Sequence, residues 1–401
     1  MKKFLALILA LVMALGLVAC GNGGEDDKGG DETSAEKVAM ITDYGDITDQ
    51  SFNQTTYEAC KAFCEKNEIE FTYKKPVGDS TADRVAMIEQ AIDEGYTVIV
   101  MPGFAFGEAI VQAAPQYPET KFIALDVAEG DLLAAGVAAA GEEYDFNPAN
   151  WDFDKYVKMD NVYCAVYQEE LCGYMAGYAA VKLGYEKLGF LGGMAVPAVQ
   201  RYGHGYVQGI DAAAKELNKT VELNYVYGGQ FFGDADITAK MDTWYQGGTQ
   251  IVFACGGGIY TSAVDASKKV EGGKVIGVDV DQAPVIAGYA EDADNSRTVT
   301  SAMKGLYPTT FDTLTDVIIN GNWDKYAGKV ETLGLVNGDD PSLNYVQIPM
   351  ETTQFSDSFT KDDYAAMVKD MLDGKITVSN DISKLPDVTN VTIDDQGKIK
   401  G

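Results

Sequence analysis

Histidine is nearly absent from this sequence, since His204 is the single one among 401 residues. Zinc sites and Ser-His-Asp triads both depend on imidazole groups, so either would have to rest on that one residue. His204 lies in no catalytic motif, and the sequence has no phosphate-binding P-loop and no serine nucleophile elbow. We therefore expect no metal, no cofactor and no catalytic residues.

Basic residues are also scarce, because 31 Lys and Arg stand against 61 Asp and Glu and give a net charge of −30 at pH 7. Nucleic-acid binding requires clustered Lys and Arg that neutralise phosphates, and anionic lipid headgroups attract the same side chains. The composition therefore argues against a nucleic-acid partner and against adsorption to lipid headgroups. The acidity is typical of a soluble, self-repelling surface.

Cysteine is sparse, with one residue near the N-terminus and five further along the chain. An odd set of this size does not form a disulfide framework. Cys60 and Cys64 are four residues apart on a predicted helix, which makes them neighbours but directs their side chains poorly for a bond. We favour buried, reduced thiols, and a Cys60–Cys64 disulfide is the alternative.

The longest apolar run, residues 4–19, is shorter than the ~20 residues that a membrane-spanning helix needs. It follows Lys2 and Lys3, and this combination is typical of a secretion signal. The run ends in Leu-Val-Ala followed by Cys20, which resembles the lipobox of bacterial lipoproteins. We interpret residues 1–19 as a signal peptide and Cys20 as the lipid anchor; an ordinary cleaved signal is the alternative.

Residues 20–36 are rich in glycine and acidic side chains and cannot bury apolar surface. We expect them to form a flexible tether. The folded part of the chain is therefore predicted to lie outside the cytoplasm, attached to the cell membrane through the lipid anchor only.

From residue 37 onward, short β-rich apolar segments alternate with amphipathic segments typical of helices. Repeated β-α-β units indicate parallel sheets that are covered by helices on both faces. Two such series in one chain predict an α/β fold with two Rossmann-like lobes and a ligand cleft between them. The strands are expected near residues 38–42, 70–73, 97–101, 121–125, 161–167, 188–193, 221–227, 250–254, 274–278 and 298–301.

The predicted organisation has three parts. Residues 37–160 form mainly lobe one and include a long surface excursion at 129–160, where the alternation breaks. Residues 161–297 form mainly lobe two. Residues 298–401 are expected to cross between the lobes and complete both.

Ligands of doubly wound sheets bind beyond the carboxyl ends of the strands. The first strand is followed by Asp43 and by a helix that Ser51 can cap, with Phe52 and Asn53 on its first turn. An acidic loop with one aromatic residue suits a flat ligand with hydrogen-bond donors. Asp126 ends another strand, where a carboxylate can accept hydrogen bonds from two hydroxyls. The alternatives are a core position for Phe52 and a turn-capping role for Asp126.

Four blocks of sequence form a pattern of motifs. Residues 43–54 read D-x-G-x-x-x-D-x-S-F-N-Q. Residues 189–202 are similar to G-F-x-G-G-M-x-x-P-x-x-x-R-F, with Tyr202 in place of the last Phe. Residues 276–282 are similar to I-G-V-D-x-D-Q, and residues 300–304 to T-S-x-x-K. In this order the blocks resemble the basic membrane protein family, the substrate-binding lipoproteins of ABC importers, and in particular its purine nucleoside receptors.

The resemblance implies a fold like that of type I periplasmic binding proteins, a nucleoside ligand and an ABC permease as partner. The base would lie between Phe52 and a second ring, which is either Phe231 or Phe232. The resemblance further implies roles for polar residues of the cleft: Asp43, with Ser51 and Asn53 beside it, at the base edge, Asp126 at the ribose diol, Asp279 as a second-lobe acceptor and Lys304 as a donor.

Three alternatives remain at this point. The ligand could be another heteroaromatic molecule such as a flavin. The chain could be a sensory lipoprotein with the same cleft. It could also be an enzyme that cleaves the glycosidic bond of a nucleoside, with Asp43, Asp46, Asp49 and Asp126 as candidate acids and bases.

Overall fold

The computed structural model describes residues 36–43 and 45–400. The predicted signal peptide, Cys20 and all of the tether except Glu36 lie outside these residues. The described residues form thirteen strands: β1 (Val38–Ile41), β2 (Phe71–Lys74), β3 (Val98–Pro102), β4 (Lys121–Leu125), β5 (Val162–Tyr167), β6 (Lys187–Gly192), β7 (Val221–Tyr227), β8 (Ile251–Cys255), β9 (Lys274–Asp279), β10 (Thr298–Lys304), β11 (Lys329–Leu333), β12 (Val346–Gln347) and β13 (Val391–Lys398).

Helices connect most of these strands. They are α1 (Phe52–Asn67), α2 (Thr81–Asp93), α3 (Phe106–Ala113), α4 (Glu129–Ala139), α5 (Phe153–Tyr156), α6 (Glu169–Lys182), α7 (Pro197–Glu216), α8 (Ala235–Gln246), α9 (Tyr260–Ser267), α10 (Ala283–Ala290), α11 (Leu306–Leu314) and α12 (Lys361–Leu372). Among the described helices, none combines the length and the apolar character needed to cross a membrane.

The strands form two sheets. The first has the order β11-β5-β4-β3-β1-β2 and is parallel throughout. The second has the order β12-β10-β9-β8-β6-β7-β13, in which β12 alone is antiparallel to its neighbour. The predicted α/β architecture with two doubly wound lobes is confirmed.

Central strands of the first sheet are buried on both faces, which explains their continuous apolar sequences. Val38 and Met40 of β1 belong to one hydrophobic cluster, whereas Ala39 and Ile41 belong to another on the opposite face. Alternating side chains thus fill two separate layers of helix packing.

The chain passes between the lobes three times. It leaves the first sheet after β5 and enters the second lobe along α6. After β10 it returns, because α11 packs against α1 and β11 pairs with β5. After β11 it crosses again to β12, which pairs with β10.

The boundary predicted at residue 160 therefore differs from the sheet pairing by one strand, since β5 belongs to the first sheet. Periodicity shows that a strand exists but not which sheet it joins.

The expected excursion at 129–160 is wrong in its first part, where α4 buries Leu132, Leu133 and Val137. The break in the alternation suggested a surface excursion, but this part is rich in alanine, which is the best helix former. All five described cysteines are buried free thiols.

Helices α6 and α7 pack with their backbones in direct contact. A Cβ added to Gly205 of α7 would overlap the carbonyl oxygen of Glu170, and one added to Gly177 of α6 would overlap that of Tyr206. Gly173 and Gly209 make equivalent contacts. The glycines therefore hold the middle of α7 closely against the helix that leaves lobe one.

We expect Gly205→Ala to lower the free energy of unfolding by about 1–3 kcal/mol, because the added methyl group must push two helix backbones apart. Urea unfolding followed by circular dichroism measures this change. Gly288→Ala is the matched control, since Gly288 also lies in a helix but has open space around its Cβ position. The control should be neutral or slightly stabilising. Equal effects of the two substitutions would contradict the close contact.

Candidate functional site

A cavity of about 320 Å3 lies between the lobes at the carboxyl ends of the strands. This volume is within the range of small-molecule sites. Eight of the nine predicted ligand-binding residues line it: Asp43, Phe52, Asn53, Asp126, Phe231, Phe232, Asp279 and Lys304. The ninth, Ser51, contacts one of these residues from just outside the cavity.

The loop before α1 is organised by Asp49. Its carboxylate accepts hydrogen bonds from the backbone N–H groups of Ser51, Asn53 and Gln54 at 2.9–3.1 Å, so it caps the helix. The predicted capping role of Ser51 is wrong, because its side chain makes no capping hydrogen bond. A carboxylate accepts several N–H groups at a helix N-terminus better than a single hydroxyl does.

Asn53 fixes the position of Asp43. Its side-chain Nδ2 donates to Asp43 Oδ1 at 3.1 Å and to Asp49 Oδ2 at 3.0 Å. Asp43 Oδ1 also accepts from the backbone N–H of Gly45. Asn53 therefore orients the carboxylate at the end of β1 in addition to lining the cavity.

Asp126 and Asp279 occupy corresponding places in the two lobes, at the ends of β4 and β9. Both have left-handed backbones, with φ of 59° and 65°. Such a conformation is uncommon for residues other than glycine, and it turns both side chains into the cleft. Both carboxylates lie beside the same cation, the ammonium group of Lys304.

Lys304 ends β10 and its side chain is 3% exposed. Its ammonium forms a close ion pair with Asp126 and lies 3.5 Å from Asp279 Oδ1 and 3.7 Å from Glu169 Oε1. The centroid of the Phe52 ring is 4.7 Å from Nζ. Burial alone would lower the pKa of Lys304, but the three carboxylates raise it above its usual value. The lysine therefore stays charged.

Asp126 has one engaged and one available oxygen. Oδ2 pairs with Lys304, whereas Oδ1 is buried and has no hydrogen-bond partner among the described residues. Burial raises the pKa of Asp126 to about 7, against the lowering effect of Lys304. An acceptor of this kind in the cavity wall is suited to a ligand donor.

Two charged residues that adjoin the cavity without lining it were not predicted, and neither was Lys75, which lines it. Glu169 is fully buried at the start of α6, and Arg201 of α7 donates from Nε to its Oε2 at 2.7 Å. Arg201 stands in one of the family-like blocks but suggested no role, and no motif marks Glu169. Together they extend the cluster around Lys304 to three carboxylates and two cations, which we call the cleft charge cluster: Asp126, Glu169, Asp279, Arg201 and Lys304.

The two candidate aromatic residues of lobe two differ in their packing. The ring of Phe231 fits against Gly193 and Gly256, where a Cβ would crowd it. Phe232 is 62% exposed. Glycine at these two positions therefore makes room for one phenyl ring at the cavity wall.

The family model described as ABC transporter substrate-binding protein PnrA-like, Bmp, matches residues 36–357. The chain belongs to the Bmp family. It is an extracytoplasmic substrate-binding protein of the ABC transporter type.

Relatives of this Bmp protein support the assignment over most of its length. The ABC transporter nucleoside-binding protein BmpA of Lactococcus lactis is 26% identical and covers 94% of this chain and 99% of its own. Basic membrane protein A of Borreliella burgdorferi is 26% identical over 69% of this chain and 71% of its own.

Solved structures confirm the fold of the Bmp protein. An ABC transporter solute-binding protein from Aeropyrum pernix has a TM-score of 0.61 at 20% identity and covers 85% of this chain and 87% of its own. One from Conexibacter woesei has a TM-score of 0.60 at 20% identity, with 86% and 99% covered.

Glu169→Ala should destabilise the protein by about 3 kcal/mol or more, because it leaves the Arg201 guanidinium without its close partner inside the protein. Asp387→Ala is the control, since Asp387 pairs with Lys384 at 2.7 Å but is 89% exposed. Exposed pairs contribute about 0–1 kcal/mol. Urea unfolding of both variants tests the difference, and a cost below about 1 kcal/mol for Glu169→Ala would contradict the buried pairing.

Proposed function

We propose that this Bmp protein binds a purine nucleoside between its lobes and delivers it to an ABC permease. One observation carries the proposal: two aromatic rings, Phe52 from lobe one and Phe231 from lobe two, line one cavity together with Asp126, whose buried Oδ1 has no hydrogen-bond partner among the described residues. The two rings suit a flat base, and the oxygen of Asp126 suits a sugar that carries hydroxyl groups.

The base is proposed to stack between Phe52 and Phe231. Stacked aromatic pairs contribute about 0.5–1.5 kcal/mol beyond area burial and favour flat rings over sugars. Asp43, held by Asn53, is proposed to accept from an N–H group of the base edge, and hydrogen bonds to a charged acceptor are the stronger kind. Phe231 is preferred to Phe232 because its ring is fixed by packing.

The ribose is proposed to donate from a hydroxyl to Asp126 Oδ1. The charges of the cavity argue against a phosphorylated ligand, because its cations are already paired. Among the described lining residues the cations are Lys75 and Lys304, and each forms an ion pair with a carboxylate. A phosphate group would meet Asp43, Asp46, Asp49, Asp126 and Asp279 without a free counter-charge, so a neutral nucleoside is favoured over a nucleotide.

Delivery is proposed to depend on the lipid anchor at Cys20 and the acidic tether. A receptor that is tethered close to its permease has a raised effective concentration there without any new contact. The name of the Lactococcus relative, a nucleoside-binding protein, supports the same ligand class.

The identity of the ligand is tested by mass spectrometry of small molecules released from freshly purified, denatured protein. We expect a purine nucleoside. Calorimetric titration with inosine, guanosine, ribose and riboflavin then ranks the classes, and a search for free base after incubation tests for glycosidic cleavage. Recovery of only a sugar or an amino acid, or tighter binding of riboflavin than of inosine, would contradict the proposal.

Phe52→Ala and Asp126→Asn should each weaken inosine binding by about tenfold or more, ~1.4 kcal/mol, because they remove a stacking ring and a charged acceptor. Phe231→Ala should have a similar effect, and Phe232→Ala a smaller one. Phe146→Ala is the control, since its ring is exposed on the 140–152 segment and does not line the cavity. Unchanged affinity in both Phe52→Ala and Asp126→Asn would place the site elsewhere.

A further inference from the structure

We propose that residues 391–400 belong to the ligand site, with Lys400 as a positioning residue that holds the loop carrying Phe231 at the cavity wall. This loop, residues 228–234, connects β7 to α8 and is called the Phe231 loop. The segment that holds it lies beyond residue 357, where the match to the family model ends. The role rests on the proposed function in one respect, because Phe231 is the ring proposed to stack on the base.

On the side of the cavity, the Phe231 loop is held by backbone hydrogen bonds. The carbonyl oxygen of Phe231 accepts from the N–H of Gly258 at 2.9 Å, and the N–H of Gly229 donates to the carbonyl oxygen of Gly193 at 3.0 Å. Phe231 and Gly258 both line the cavity. These bonds fix the loop backbone at two points, and the rest of the loop depends on other contacts.

The strand β13 supplies a second set of contacts. It pairs in parallel with β7 at the edge of the second sheet, and the N–H of Ile399 donates to the carbonyl oxygen of Tyr227 at 2.8 Å, directly before the loop. Lys400 then meets Gly229, where an added Cβ would lie 2.8 Å from the Lys400 carbonyl oxygen. Gly229 also has a left-handed backbone, with φ of 85°. Glycine at this position therefore allows the segment to pack directly on the loop backbone.

The Lys400 side chain fixes the far end of the loop. Its ammonium forms a close ion pair with Asp234, the last residue of the loop, and lies 3.7 Å from Asp236 Oδ2. Asp234 Oδ1 accepts from the N–H groups of Asp236 and Ile237 at 3.0 Å, which caps α8. One carboxylate thus connects Lys400 to the first turn of α8.

Gln230 extends this connection to the residues beside Phe231. Its Nε2 donates to Asp234 Oδ2 at 2.9 Å and to the carbonyl oxygen of Phe232 at 2.9 Å, and its Oε1 lies 3.4 Å from the Lys400 ammonium. Gln230 precedes Phe231 in the chain and Phe232 follows it. The backbone on both sides of the ring is therefore linked to Lys400 through one amide side chain and one carboxylate.

The strand β13 is itself anchored to α8. Oε1 of Gln396 accepts from Trp244 Nε1 and from Lys240 Nζ, both at 3.1 Å. β13 therefore joins β7 and α8, the two elements that the Phe231 loop connects. A loop that is fixed in this way before the ligand arrives has less conformational freedom to lose on binding.

The first test is a double-mutant cycle with inosine as the probe. Lys400→Ala should weaken binding by about threefold, the loss typical of a partly exposed ion pair. In a Phe231→Ala background the same substitution should change the affinity by less than about 1.5-fold, because the ring through which Lys400 acts is then absent. Calorimetric titration measures the four affinities. A loss of equal size in both backgrounds, or no loss in either, would overturn the proposal.

Two further variants are the controls. Lys400→Arg keeps the charge and should retain the affinity of the wild-type protein. Lys384→Ala removes an ion pair of 2.7 Å between Lys384 and Asp387, which is far more exposed and lies in the same part of the chain, and it should also leave the affinity unchanged. A loss with Lys384→Ala that matches the loss with Lys400→Ala would contradict a specific role of Lys400.

The second test needs no ligand. Hydrogen–deuterium exchange of the full-length protein should increase at residues 229–234 in Lys400→Ala and stay unchanged in β3 of lobe one. Unchanged exchange at residues 229–234 would overturn the proposal. Failure of the wild-type protein to bind inosine would instead contradict the proposed function, and the exchange experiment would still decide whether Lys400 holds the Phe231 loop.

Discussion

The structure depends on one buried ammonium group. Lys304 lies where both lobes meet, and its charge is stabilised inside the protein only because three carboxylates, from β4, α6 and β9, surround it. A buried charge without such partners would cost several kcal/mol. The positions of Asp126 and Asp279, and even their left-handed backbones, are consistent with this requirement. The site is therefore built around the cation before any ligand is considered.

In the proposed function, the charge cluster and the aromatic rings have different tasks. The rings of Phe52 and Phe231 are proposed to provide a surface for a flat molecule, and such a surface tolerates many flat molecules. The carboxylates would confer specificity, because an acceptor at a fixed position favours ligands whose donors can reach it over ligands whose donors cannot. A cavity with paired lysines and surplus acid is expected to reject anions even when they are flat. The proposed selectivity of this Bmp protein thus follows from charge as much as from shape.

Much of this could be read from the sequence, for identifiable reasons. Strands with continuous apolar residues and short β-α-β spacing specify a parallel sheet, and the strand-end rule located Asp43 and Asp126. Lys304 was found through the family resemblance. The pairing of strands into sheets could not be predicted, because nothing in residues 161–167 shows that β5 joins the first sheet. Glu169 was missed because a helix-starting glutamate is ordinary in sequence, and only its burial beside Arg201 makes it unusual. The hydroxyl of Ser51 suggested a local cap, whereas its partner lies 228 positions away.

The three chain crossings give the charge cluster a mechanical meaning. Glu169 begins α6 immediately after the first crossing, and Lys304 is the last residue of β10 before the second. Both charges therefore lie beside segments that cross between the lobes, and in two-lobed binding proteins such connecting segments act as hinges. Close to a hinge, rotation of one lobe moves atoms only slightly. A displacement of a fraction of an ångström around Lys304 would therefore accompany a much larger movement at the outer rims of the lobes. The occupancy of a small cavity can thus be reported at a surface far from it.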